Sequence, residues 1–286
     1  PGVAEFHNNR ANVLKALGQT GEATHAYRRA LTLNPDYADA HNNLGLILRE
    51  RGNLDEAILH YQRAIESQPG HAMAYSNLGG ALQAKGRTDE AFAAHRKAMS
   101  LAPSSPHVWT AAGVTLFEEG KVDDAIRCHH KALELHPDFV DALVNLGNAL
   151  AKREEHNEAM ASYQRALALQ PQNALILNNM GALLENRGRM DEAVACYRRA
   201  LELDRSIAAT YSNLGSALKK NGRMDEALAC YDEALRIEPA SAQAHWNRSI
   251  ALLGAGRLEE GWREYEWGWS SGGRRPVRPF PQPRWE

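Results

Sequence analysis

The tripeptide Asn43-Leu44-Gly45 returns as Asn77-Leu78-Gly79, Asn145-Leu146-Gly147, Asn179-Met180-Gly181 and Asn213-Leu214-Gly215, always at a step of 34 residues or a multiple of it. A period of that length confines the chain to stacked copies of one small unit. A unit this short cannot bury its own apolar face and must lay it on its neighbours. With Ala38 as position 1 of a copy, position 8 is Ala11, Gly45, Gly79, Gly113, Gly147, Gly181, Gly215 and Ser249. Position 11 is leucine throughout, from Leu14 and Leu48 to Leu252. Position 20 is alanine from Ala23 to Ala227, then Gly261, and position 27 is alanine from Ala30 to Ala234. Position 24 is tyrosine or histidine: Tyr27, Tyr61, His95, His129, Tyr163, Tyr197, Tyr231 and Tyr265.

These spacings predict a pair of helices, A and B, in each copy. Positions 4, 7, 8 and 11 share one helical face. Glycine at position 15, as in Gly18, Gly52 and Gly86, suits the left-handed residue that ends helix A. Aspartate at position 18, as in Asp55, Asp89, Asp123, Asp191 and Asp225, is expected to start helix B and to complement its dipole. Proline at position 32, replaced only by Arg205, is expected to end helix B. The small residues at 8, 20 and 27 let the two helices approach closely.

Over residues 4 to 269 the pattern resembles the tetratricopeptide repeat (TPR) family. The resemblance implies an all-α solenoid, a right-handed superhelix of helix-turn-helix hairpins with A helices on the concave side. Residues 4–241 read as seven repeats and 242–269 as a degenerate eighth. Residues 1–3 read as the end of a preceding repeat, since Pro1 falls at its position 32, so the chain reads as part of a longer array. Residues 270–286, with Arg274, Arg275, Arg278 and Arg284 among Pro276, Pro279, Pro281 and Pro283, read as an extended arm. Two copies depart from the pattern. The fourth has Ala111 in place of asparagine, and the fifth has Glu154 where glycine should end helix A, so a local change of curvature over residues 106–156 is expected.

A net charge of −2 argues against a general nucleic-acid or membrane-surface role, and no run of about 18 apolar residues reads as a membrane span. Cys128, Cys196 and Cys230 share one phase of the repeat. Equivalent positions on stacked helices stand on the order of 10 Å apart, too far for a disulfide. Half-buried thiols in a reducing, cytoplasmic setting are expected. The chain has no phosphate-binding loop, nucleophile elbow or H-E-x-x-H pair, and is expected to carry no catalytic residue and no cofactor. His7, His41 and His245 occupy position 4, filled elsewhere by Tyr75, Trp109 and Tyr211, so packing rather than metal binding is expected of them. The basic position 26, from Arg29 and Arg63 to Arg199, lacks interleaved aromatics and reads as a solvated face.

Asparagine at position 6 needs a separate reason, because helix interiors do not favour it. Asn9, Asn43, Asn77, Asn145, Asn179, Asn213 and Asn247 hold this position, interrupted by Ala111. A primary amide both donates and accepts, so it can pair with a peptide backbone in both senses. Amides on the order of 10 Å apart would meet an extended peptide, rising about 3.3 Å per residue, at roughly every third residue. The alternative is that each asparagine bonds the neighbouring repeat and stiffens the stack, and the two are compatible. The ladder resembles that of the TPR superhelix of O-linked N-acetylglucosamine transferases, where concave asparagines hold the acceptor polypeptide. Glu259-Glu260-Gly261-Trp262, Tyr265-Glu266-Trp267-Gly268-Trp269 and Phe280-Pro281-Gln282-Pro283-Arg284-Trp285 resemble the junction of bacterial proteins that join TPRs to a glycosyltransferase-like domain. The alternative for this end is a final helix whose tryptophans cover the stack. Position 5 lacks the lysine of chaperone-binding TPRs, which argues against a chaperone adaptor. The expectation is a scaffold whose partner is a protein or peptide in the groove, with self-association through the solenoid ends as a further possibility.

Overall fold

The structure, a computed structural model, describes residues 3–270. They form helices in eight hairpins, with no strand among the described residues. The chain divides into two compact units, Pro1–Ser162 and Tyr163–Glu286. Unit 1 holds α1 Ala4–Ala16, α2 Thr20–Leu33, α3 Ala38–Glu50, α4 Leu54–Ser67, α5 Ala72–Ala84, α6 Thr88–Leu101, α7 Pro106–Glu118, α8 Val122–Leu135 and α9 Val140–Lys152. The division falls inside α10, His156–Leu169. Unit 2 continues with α11 Ala174–Asn186, α12 Met190–Leu203, α13 Ala208–Lys220, α14 Met224–Ile237, α15 Ala242–Gly254 and α16 Leu258–Ser270. Odd-numbered helices are the A helices.

Each helix A ends on a left-handed glycine, with φ of 76° at Gly18 and 80° at Gly52. Glu154 adopts the same conformation, φ 65°, and α7 and α9 keep the 13 residues of the other A helices. The departures expected to disturb residues 106–156 therefore leave helix lengths and turn geometry unchanged.

Two boundary expectations are corrected. Helix B starts one residue before the aspartate, at Leu54 in α4, and the N-cap Asn53 makes no side-chain cap. The aspartate instead reaches the next hairpin. Asp55 pairs with Lys85 at 2.8 Å and Asp123 with Arg153 at 2.7 Å in unit 1, and Asp191 accepts from Asn221 at 2.8 Å in unit 2. Proline is also not what stops helix B. α12 ends at Leu203 although position 32 is Arg205, and the Asp204 carboxylate takes up the Ser206 N–H and hydroxyl, an Asx turn that redirects the chain.

Within a hairpin, the ring at position 24 lies on the bare backbone of position 8, and Tyr61, Tyr197 and Tyr231 are fully buried. The alanines at positions 20 and 27 are likewise buried, from Ala23 and Ala30 onward. Between hairpins a second seam runs through positions 3 and 10 of helix A, which the sequence reading did not single out. Ala40, Ile47, Ala74, Ala81, Val108, Ala142 and Ala149 are buried there in unit 1, and Ala217, Ala244 and Ala251 in unit 2. Their counterparts in α1, Phe6 and Val13, are 54% and 60% exposed, because no described hairpin covers that side. In unit 1, α3, α5, α7 and α9 touch one another in turn, whereas no such series joins the B helices. The A helices are thus the closer-packed, inner layer of the unit, and α11, α13 and α15 do the same in unit 2.

The last hairpin is aromatic: Trp246 packs on Tyr265 and His245 on Trp267. Trp262 remains 55% exposed, so this helix covers its end of the stack only in part. Ser270 ends α16 rather than opening an arm, and the remaining arm residues, with Phe280 and Trp285, lie outside the described residues. No helix among the described residues is long and apolar enough to cross a membrane.

Candidate functional site

Positions 2 and 13 of the A helices are exposed, as at Asp39 and Glu50 of α3 or Ala209 and Lys220 of α13, while position 6 is mostly half-buried. In unit 1, Asn9 is exposed on α1, Asn43 and Asn145 are half-buried, and Asn77 is 9% exposed. In unit 2, Asn179, Asn213 and Asn247 are half-buried. The asparagines therefore sit in the creases between A helices rather than on the face opposite the core.

Their amides are engaged, several with the preceding hairpin. Asn43 Nδ2 donates to Asn12 Oδ1 at 3.2 Å, and Asn77 Nδ2 to Asn42 Oδ1 at 2.8 Å. In unit 2, Asn213 Nδ2 donates to Asn178 Oδ1 at 3.0 Å. Asn145 Nδ2 turns back to the Asp141 carbonyl of its own helix at 2.8 Å, and Asn247 Oδ1 accepts from Gln243 at 2.9 Å. Asn179 accepts from Asn178 at 3.4 Å. In Asn77, Asn145 and Asn213 the side-chain carbonyl has no partner among the described residues and is not sealed from solvent. An amide immobilised through its N–H loses little freedom when a ligand N–H meets its oxygen.

Two of the acceptors, Asn42 and Asn178, come from position 5, a position that also buries Asn8, Ser76, Thr110 and Ser212. The signal was present, since small polar residues recur at that position inside a helix, but the sequence reading used it only to exclude a chaperone clamp. A second missed group is Glu185, 11% exposed. It accepts from the Tyr197 hydroxyl at 3.1 Å, Ser216 Oγ at 3.0 Å and Lys220 Nζ at 2.8 Å.

The histidines behave as packing groups. His95 and His129 fill tyrosine slots, and burial pushes both down to about 4. His41 Nε2 donates to the Pro35 carbonyl at 2.9 Å, leaving Nδ1 to accept from His60 Nδ1 at 2.8 Å. Trp109 and His245 meet the carbonyls of Pro103 and Pro239 in the same way, at 2.8 and 3.0 Å. No cluster of three metal-binding side chains occurs among the described residues. The three cysteines are free, and burial pushes each thiol up, Cys230 to about 11, away from nucleophilic thiolate.

Tetratricopeptide repeat models match residues 8–72, 110–174, 162–195 and 208–241, with further matches over 48–114 and 186–222, so that they jointly span 8–241. No curated protein matches the chain. Among solved structures, the Cut9 and Hcn1 hetero-tetramer of the APC/C superposes with a TM-score of 0.75 at 20% identity, over 93% of this chain and 52% of that one. Yeast Tom70 gives 0.67 at 18% identity, over 89% of this chain and 57% of its own. A tetratricopeptide repeat protein from Parabacteroides merdae gives 0.67 at 16% identity, over 87% and 98%. The chain spans about half the length of the Cut9 and Hcn1 structure's chain, and at these identities the likeness is one of fold. By its period, its hairpins and these matches, the chain belongs to the tetratricopeptide repeat family.

Proposed function

We propose that this chain is a binding scaffold that holds extended polypeptide along the inner layer of A helices, and that it is the substrate-recognition part of a larger glycosyltransferase-like protein. The observation that carries the peptide reading is the set of unpartnered, unsealed carbonyl oxygens on Asn77, Asn145 and Asn213, each on an amide already anchored through its nitrogen. Asn9, Asn43, Asn179 and Asn247 extend the same register. Such a ladder reads backbone and tolerates varied side chains, which suits an enzyme with many protein substrates. The glycosyltransferase reading rests on the ladder and on the Trp-rich sequence of α16 and its continuation.

Two measurements test this. Labelled extended peptides are titrated against the wild type and Asn145→Ala/Asn179→Ala/Asn213→Ala, with urea unfolding of both in parallel. Loss of binding at retained stability is expected, and equal binding by the two proteins rejects the ladder. A coding sequence that stops after Glu286, with no transferase partner gene nearby, removes the glycosyltransferase part alone. The second reading is a general assembly scaffold, active in a cytoplasmic setting and able to self-associate. It is favoured by the exposed Phe6 and Val13 of α1 and by the exposed Trp262 of α16, which leave apolar surface for a partner subunit.

A further inference from the structure

Position 12 of a helix A meets position 13 of the next one across the inner layer. In unit 1, Lys15 pairs with Glu50 at 3.4 Å, and in unit 2, Glu185 pairs with Lys220 at 2.8 Å. Two cations break this rule. Arg49 faces a hairpin whose position 13 is Ala84, and Lys219 one whose position 13 is Gly254. Both are half-buried, and neither has a carboxylate or carbonyl partner among the described residues. Arg49 rests on bare backbone, since a Cβ on Gly80 would stand 3.0 Å from its Nη1. The carboxylate nearest in kind to Lys219 is Glu185, already taken up by Lys220.

The tyrosine beneath each cation repeats the deficit. Elsewhere the position-24 hydroxyl is satisfied from the same helix A: Tyr27 donates to Asn12 at 2.6 Å and Tyr197 to Glu185 at 3.1 Å. The hydroxyls of Tyr61 and Tyr231 are sealed and have no partner. Position 12 of their hairpins is Arg49 and Lys219, and neither can accept a hydrogen bond. The Arg49–Tyr61 place thus gathers a phenol donor and a cation and supplies neither with a hydrogen-bond acceptor, whereas Lys219 and Tyr231 both lie within electrostatic reach of the Glu185 carboxylate. Glu185 shows what this framework accepts there, because its carboxylate takes a phenol, a hydroxyl and an ammonium together.

We propose that Arg49 with Tyr61, in unit 1, is a carboxylate-recognition site for acidic side chains of the bound polypeptide. This rests on the reading that extended peptide lies along the A helices. The Arg49 guanidinium takes the carboxylate, and the sealed Tyr61 hydroxyl is the donor that lacks an acceptor beside it. Burial holds the Tyr61 hydroxyl up to about 12, so it stays protonated and able to donate.

The test uses extended peptides with both termini blocked, one series carrying Asp and Glu and the other Asn and Gln at the same places. They are titrated against the full chain, Arg49→Gln, Lys219→Gln and Tyr61→Phe by fluorescence anisotropy at two salt concentrations. The wild type is expected to prefer the acidic series about tenfold, and Arg49→Gln to lose much of that preference while binding the neutral series unchanged, whereas Lys219→Gln, beside the Glu185 carboxylate, keeps it. Such a loss corresponds to one charge-assisted hydrogen bond. Tyr61→Phe is expected to lower the preference only two- to threefold, roughly one neutral hydrogen bond. Equal binding of the two series by the wild type, or an undiminished preference in Arg49→Gln, overturns the carboxylate site and leaves the peptide reading intact. Binding of neither series overturns both.

Discussion

Gly45 and Tyr61 meet as backbone and ring: a methyl group at Gly45 would stand 2.6 Å from Cε1 and 2.9 Å from Cδ1 of the tyrosine. Tyr61 is fully buried and cannot move aside. The Gly45→Ala change should raise helix propensity by nearly 1 kcal/mol, yet overpacking costs about 1–3 kcal/mol. A net loss of about 0–2 kcal/mol in urea unfolding is expected from the balance of these two effects. Ala11 faces Tyr27 in the first hairpin, where no described hairpin holds the outer side of α1, so the reverse change Ala11→Gly should bring little gain.

Glu154 holds a left-handed conformation, φ 65°, that every other helix A gives to glycine. The side chain has no bond there that needs a glutamate. Glu154→Gly should stabilise unit 1 by about 1 kcal/mol, the usual steric cost of that region for a residue with a Cβ. A higher urea midpoint at unchanged m-value is the expected outcome, and a lower midpoint would show that glutamate is not strained there.

His95 and His129 are buried uncharged, with folded values near 4 against 6.5 for the free side chain. Both ring nitrogens of His129 lack partners, and His95 has only Thr115 at 2.9 Å. Because the folded value lies below the unfolded one, their contribution is whole above pH 6.5 and is lost as pH falls towards 4. Over that window each should remove about 1.4 kcal/mol of stability per pH unit. His60 is likewise held down to about 4 by burial and the neighbouring His41, so His129→Tyr, which installs the residue used in most other hairpins, should remove about a third of the combined slope. An unchanged slope would mean that other groups dominate acid unfolding.

The two tyrosine environments should respond with opposite sign. Tyr27→Phe removes a bond to Asn12 and should cost about 1 kcal/mol, whereas Tyr61→Phe removes a sealed hydroxyl with no partner and should be neutral or stabilising. Thermal melts of the two variants give the comparison directly.

Asn42 and Asn145 separate the structural from the outward role of the amides. Asn42→Ala strips the buried acceptor from Asn77 Nδ2 and should cost about 1–3 kcal/mol. Asn145→Ala gives up only a bond to its own helix, so it should change stability by less than about 1 kcal/mol. If Asn145→Ala is the costlier of the two, the inter-hairpin bonds are not what stiffens the stack.

What lies within one hairpin was legible in the sequence. The period, the helix pair, the left-handed turn after helix A and the seat of the position-24 ring all depend on residues that the repeat itself places side by side. Gly45 and Tyr61 are in contact because one hairpin closes on itself, and the Gly45 and Tyr61 phases said as much. What joins one hairpin to the next was not legible in the same way. The period of 34 suggests like beside like, but bonded partners stand 35 apart at Asn42 and Asn77, 31 at Asn12 and Asn43, and 30 at Asp55 and Lys85. Stacked helices are displaced along their axes, so a side chain meets a neighbour of a different phase, and the size of that displacement is set by packing at positions 3 and 10. Only the tertiary structure therefore shows that Asp55 joins hairpins instead of capping a helix, that the asparagines are half spent on their neighbours, and that Arg49 is left without an ion-pair partner among the described residues.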